Sequence, residues 1–300
     1  MTRRDMMLAG AAVAGARALQ GQGGTPEVMP PPPKAKMTSS VMLWTLKGSF
    51  EERVNAAAAA GMQSVELVGE HVGWSDSEIG AQKRLVRSFG MGIDTIIATP
   101  DWGKRPVSMV DPAQRDNFLQ DVRGAIVYAK KLETPMIILM SGNEIPGRTR
   151  EEQYASLLEG AKRAGDLAEK ADVLLIVEPL NNKVDHKGFY LTTCTEGLKL
   201  IREVDNPHVR LLFDLYHEQV QAGSVIETLR RAVDYVAVFH VADAPGRHDP
   251  GTGSMDWPAI YKAIDKTGYK SYVTMEYLPA GEQVNSLVKS VDGFRSAIRS

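Results

Sequence analysis

From Ser39 onward, short apolar runs alternate with longer stretches whose apolar positions recur every three to four residues. The short runs are too brief for helices and carry few polar positions, which predicts strands buried on both faces, as in a parallel sheet. Eight such runs are legible, at 41–46, 64–68, 93–98, 136–140, 173–180, 209–215, 236–241 and 272–277. The stretches between them carry helix signals independent of the strand pattern. Asp111-Pro112 offers an N-cap with proline in the first turn, and Thr149/Glu152, Thr193/Glu196 and Ser224/Glu227 have the spacing of capping boxes. Gly61, Gly90 and Gly268 stand where helices should stop. Residues 256–267 form a short helix before the last strand, and 282–299 a closing helix.

Eight strand-then-helix units predict a single α/β domain, a (β/α)8 barrel over 37–300, because right-handed crossovers bring the eighth strand beside the first. A doubly wound open sheet is disfavoured: VMLWTLKGSF, and no GxGxxG, follows the first strand. Ahead of the barrel, two arginines precede an apolar run from Met6 to Ala16, and Ala16-Arg17-Ala18 is a small-x-small site. This resembles a twin-arginine export signal over 1–18 and implies a periplasmic or otherwise exported protein; without a working signal the protein would be cytoplasmic. The run is shorter than the ~20 residues a spanning helix needs, so stable membrane insertion is not expected. Residues 19–36, with Pro30 to Pro33 in a row, should be an extended tether.

The formal charge of −2 gives no general attraction to phosphate backbones, so nucleic acid is excluded as a default partner and a small molecule is expected. With one cysteine, Cys194, no internal disulfide or thiolate cluster can form, and a metal would have to use His, Asp or Glu. Self-association into a homo-oligomer stays open.

In a barrel the functional face lies where strands run out into the following loops. There Glu178 ends the fifth strand and Asp214 the sixth, while His240 and Glu276 sit in the seventh and eighth. Singly, each is better read as a paired core residue. Together, three carboxylates and an imidazole from neighbouring strands would converge and repel unless a cation lay between them. Oxygen-rich ligands with one nitrogen suit one divalent metal ion, Mn, Mg or Co. Glu178 and Glu276, from opposite ends of the quartet, could move a proton on a substrate held there. His217 and Arg247 lie close enough in sequence to bind a hydroxyl, carbonyl or carboxylate group, and Trp44, Trp74 and Trp102 could wall the pocket.

EPLNN at Glu178, FDLYH at Asp214, FHVADAPGRHDPGTG at His240 and MEY at Glu276 resemble the hydroxypyruvate isomerase branch of the xylose-isomerase-like TIM barrels, over residues 40–298. The PGRHDPGTG loop followed by MDWPAIYKAI is its most specific part, with weaker support from LMSGNEIPG. The resemblance implies a metal held by Glu178, Asp214, His240 and Glu276, with Glu178 and Glu276 as the acid/base pair. It also implies hydroxypyruvate to tartronate semialdehyde isomerisation through an ene-diolate. The departure is His240, where hydroxypyruvate isomerases often have glutamine and sugar epimerases histidine. An exported epimerase or keto-glycoside lyase therefore remains the alternative. A nuclease would need more ligands and a basic face, and a non-catalytic sugar-binding module would bind without proton exchange.

Overall fold

The computed structural model describes residues 37–299; the export signal and the tether expected over 1–36 lie outside them. Eight parallel strands close on themselves: β1 (Thr38–Met42), β2 (Ser64–Leu67), β3 (Gly92–Ile97), β4 (Met136–Met140), β5 (Leu174–Glu178), β6 (Val209–Asp214), β7 (Val236–Val241) and β8 (Tyr272–Met275). They pair in chain order, and β8 pairs with β1 through Ser39 and Val273. Around them lie α1 (Phe50–Ala59), α2 (Asp76–Ser88), α3 (Arg115–Leu132), α4 (Arg150–Ala171), α5 (Cys194–Val204), α6 (Leu215–Gln221), α7 (Val225–Ala232), α8 (Trp257–Lys266) and α9 (Gln283–Arg299).

The period of two along a strand sorts its residues into two apolar layers. Val65, Ile137, Leu175, Leu211, Phe239 and Val273 belong to the cluster shared with the helices. Met136, Ile138, Leu174, Ile176, Leu212 and Val238 form a smaller one inside the barrel. The parity that points Leu174 and Ile176 inward also points Glu178 inward, and Leu212 does the same for Asp214. The barrel thus brings its polar strand ends to one mouth.

Several helix starts follow the sequence, and some differ from it. Thr149 and Glu152 form a full capping box on α4. Thr193 caps α5 by accepting from the Glu196 N–H. Ser224 does not cap α7; its backbone leaves the usual cap geometry and its hydroxyl lies 3.4 Å from Thr228 Oγ1. Ser49/Glu52 and Ser75/Glu78 are full capping boxes on α1 and α2 that the sequence reading passed over. Each such cap contributes about 1 kcal/mol. β1 ends at Met42 rather than continuing to residue 46, because Thr45 Oγ1 donates to the Met42 carbonyl and winds Leu43–Thr45 into a 3-10 turn. β8 stops at Met275, which leaves Glu276 one residue past the strand. Gly197 lets α5 approach the sheet: a Cβ there would lie 2.7 Å from Leu211 Cδ1. Among the described residues, no helix is long and apolar enough to cross a membrane.

Candidate metal centre and active site

Glu178, Asp214, His240 and Glu276 come together at the mouth, each offering a ligand atom, with all four atoms within 4.8 Å of one another. All four residues are buried, His240 completely. Adjacent register positions do much of this work: Asp214 pairs with His240 across β6 and β7, and His240 with Thr274 across β7 and β8.

Asp214 is held by its own helix. Its Oδ1 accepts the Tyr216 and His217 N–H groups at 2.7 and 3.0 Å as the N-cap of α6. Its Oδ2 has no hydrogen-bond partner among the described residues and lies 3.6 Å from His217 Nε2 and 3.7 Å from Arg247 Nη2. His240 Nδ1 lies 2.8 Å from Glu276 Oε2 and 3.4 Å from Glu178 Oε1. On the ring's other side, Nε2 lies 3.0 Å from Glu66 Oε2, while Glu66 Oε1 accepts from Thr274 Oγ1 at 2.8 Å. Deeper in the barrel, Asp94 accepts from Ser40 and Ser64.

This acidic cluster perturbs its members in different directions. Burial pushes the Glu178 carboxyl up despite its bond to His240, and pushes Asp214 to about 7, assisted by the charge on Glu276. Burial also acts on Glu276, yet Arg247 and His240 outweigh it and hold that carboxyl far below the usual range. His240 is driven well above its ordinary value because the charges of Glu66 and Glu276, with bonds to Glu178 and Glu276, overcome its burial. Burial, reinforced by Arg247, depresses His217 strongly. Burial and the charge on Glu66 raise Asp94 well above the carboxylate range.

Arg247 reaches the cluster through the loop after β7. Asp243 staples that loop by accepting the Gly251 and Met255 N–H groups, and its own N–H bonds the His248 carbonyl. The Arg247 carbonyl accepts from Leu278 N, and His248 Nδ1 lies 2.7 Å from Leu278 O, so the loop is tied to the segment after β8. Arg247 itself takes left-handed backbone, with φ at 56°. Its Nη2 lies 2.8 Å from Glu276 Oε1, and its guanidinium carbon lies 5.7 Å from the Trp44 ring centroid and 5.5 Å from that of Tyr216. The carboxylate it meets is the protein's own.

His217 Nε2 lies 3.6 Å from Asp214 Oδ2, and the His217 ring packs on His186. Trp102 packs on His186 and Phe189, which joins it to this wall. Trp74 instead stacks edge-on against Phe50. Glu66, Asp94 and His186 were missed in the sequence. Glu66 and Asp94 carry the signal that marked Glu178, a lone acid in an apolar strand, but within the strand rather than at its end.

The donor set fits a hard divalent cation. Three carboxylates and one imidazole converge, and the buried Asp214 Oδ2 lacks a hydrogen bond. Glu66 on the far side of His240 is the carboxylate–histidine arrangement that fixes a ligating ring.

Comparison with known proteins agrees with this architecture. Residues 54–297 match the family described as xylose isomerase-like TIM barrel. Hydroxypyruvate isomerase of Escherichia coli is 31% identical over 234 residues, covering 77% of this chain and 88% of that protein. The 2-oxo-tetronate isomerase of Cupriavidus necator is 27% identical over 236 residues, again 77% and 88%. Among solved structures, AP endonuclease, family 2, from Brucella melitensis superposes with a TM-score of 0.76 at 23% identity, covering 85% of this chain and 98% of that one, a likeness of fold.

Proposed function

The chain belongs to the xylose isomerase-like TIM barrel family, and on that footing we propose that it is a divalent-metal-dependent isomerase of hydroxylated 2-oxo acids, with hydroxypyruvate the leading substrate and tartronate semialdehyde the product. The observation that carries this reading is the convergence of Glu178, Asp214, His240 and Glu276 at the barrel mouth. Those residues would hold the ion. When bound, it would supply Lewis-acid stabilisation of the negative charge that develops on the substrate, worth several kcal/mol.

The rest falls to the protein's own groups. Two carboxyls pushed in opposite directions form a natural acid/base pair. Glu178, made more basic by burial, takes the proton from carbon 3 of hydroxypyruvate to give the ene-diolate, exchanges it with solvent and delivers a proton to carbon 2. A proton moves from the carbon-3 hydroxyl to the carbon-2 oxygen, and Glu276, kept ionised by Arg247 and His240, accepts a hydrogen bond from it and orients the transfer. The product therefore leaves with the same atoms and charge. Arg247, close to Trp44 and Tyr216 and paired with Glu276 through Nη2, would bind the substrate carboxylate with its remaining N–H groups, and His217 would meet a substrate oxygen.

His240 supports a second reading, in which the same carboxyl pair epimerises a ketose or acts on a keto-glycoside. Metal-loaded protein incubated with hydroxypyruvate in deuterated water should yield tartronate semialdehyde labelled at carbon 2. Absence of turnover and label in a fully metallated sample removes the hydroxypyruvate assignment, and labelling of a ketose or 3-keto-glycoside instead selects the second reading.

A further inference from the structure

We propose that Asn181 sets the tautomer of His217, making this buried imidazole a neutral N–H donor aimed at an oxygen of the substrate. Only the identity of the acceptor rests on the isomerase reading.

The orientation of the Asn181 amide is fixed from both ends. Its Oδ1 accepts the backbone N–H groups of Val184 and Asp185 at 3.0 and 3.2 Å, so that atom must be the oxygen. Its Nδ2 lies 2.7 Å from Asp185 Oδ2, a carboxylate that also accepts from Tyr216 OH at 2.9 Å, so that atom must be the nitrogen. The same Nδ2 lies 2.6 Å from His217 Nδ1, and an NH2 group can only donate. The Asn181 backbone N–H also points at this ring nitrogen, at 3.4 Å. Nδ1 faces two donors and can only accept.

A ring whose Nδ1 accepts carries its single proton on Nε2 and is neutral. His217 Nε2 is buried, has no hydrogen-bond partner among the described residues, and lies 3.6 Å from Asp214 Oδ2, a candidate metal ligand. Its N–H therefore opens onto the site. A flipped ring would set Cδ2 against the Asn181 NH2 in place of an acceptor, and His186 and Tyr216 pack edge-on against the ring at centroid distances of 5.2 and 5.4 Å. A fixed, neutral donor strengthens its bond as charge develops on a carbonyl oxygen without giving up its proton, which favours the transition state over the ground state. Asn181 is thus a positioning residue, and His217 would be an electrophile.

The test is a two-bond proton–nitrogen correlation spectrum of 15N-histidine protein loaded with Mg2+, a diamagnetic ion, assigned by loss of signal in His217→Phe. The expected result is a pyrrole-type shift at Nε2 and a pyridine-type shift at Nδ1; the reverse pattern, or an imidazolium, overturns the proposal in the unaltered protein. Asn181→Asp keeps the oxygen that accepts from Val184 and Asp185 but replaces the NH2 with an acceptor. It should move the proton to Nδ1 and lower kcat by about 10²- to 10³-fold with KM changed little. A moved tautomer with unchanged kcat overturns the electrophilic role. Absence of turnover in unaltered protein counts against the isomerase reading and leaves the tautomer result standing.

Discussion

Glu66→Gln tests whether the carboxylate behind His240 governs metal binding. The Glu66 carboxylate serves two donors on separate oxygens, the His240 ring through Nε2 at 3.0 Å and Thr274 Oγ1 at 2.8 Å. Glutamine brings one oxygen and one NH2: the Thr274 hydroxyl can turn and accept from the NH2, leaving the oxygen for His240, but the negative charge that favours a proton on Nε2 is lost. A hydrogen bond to a charged group contributes about 1.5–3 kcal/mol. Loss of an outer partner of a ligating histidine costs about 10- to 100-fold in metal affinity, or roughly 1.4–2.8 kcal/mol, so two independent routes give the same size. Calorimetric titration of metal-stripped protein with Mn2+ should show the Kd rising by that factor, with melting of the stripped protein as a control for folding. A variant that binds Mn2+ within about twofold of the unaltered protein, at equal thermal stability, would refute the reasoning.

Three further outcomes follow from separate parts of the molecule. Burial holds His71 down at about 4 against an ordinary 6.5, with Glu70 opposing. The unfolded chain thus binds a proton that the folded chain refuses between those values, and stability present above pH ~6.5 falls away as pH drops towards ~4, by about 3 kcal/mol. Urea unfolding at several pH values should show that slope, and His71→Gln should flatten it. In Gly253→Ala, the new Cβ would lie 2.5 Å from Asp243 Oδ1 and even nearer the Ala244 carbonyl oxygen. That should cost about 1–3 kcal/mol in denaturant melts and, by shifting Arg247, lower kcat/KM more than tenfold; a fully active, equally stable variant would contradict the stapled-loop account. For the N-terminus, fusing residues 1–36 to a folded reporter should direct it to the periplasm, and replacing Arg3 and Arg4 by lysine should retain it in the cytoplasm, as fractionation would reveal.

The barrel was legible because its signals are local. Strand length, capping at Thr149 and Thr193, and the stops at glycine each need only a few neighbouring residues. The four strand-end groups were legible because the fold gives every strand end the same destination. What escaped the sequence depends on contacts between distant segments. Glu66 meets His240 only after the barrel closes, and Asn181 meets His217 only when β5 and β6 lie side by side. Arg247 reaches Glu276 because Asp243 and the β8 loop fold its segment back, a relation no spacing rule contains. Ser224 failed as a cap for a related reason: the loop before α7 sets its backbone, and that overrides the side chain's preference.

Asp214 divides its two oxygens between architecture and reactivity, one ending a strand and starting α6, the other turned to the mouth. An engineer seeking a different ion size could not simply lengthen this side chain, because glutamate would drag the first turn of α6, and with it the imidazole at position 217, away from the centre. At the proposed ion site, substitution is freer at Glu178, His240 and Glu276, whose carriers do not double as helix initiators.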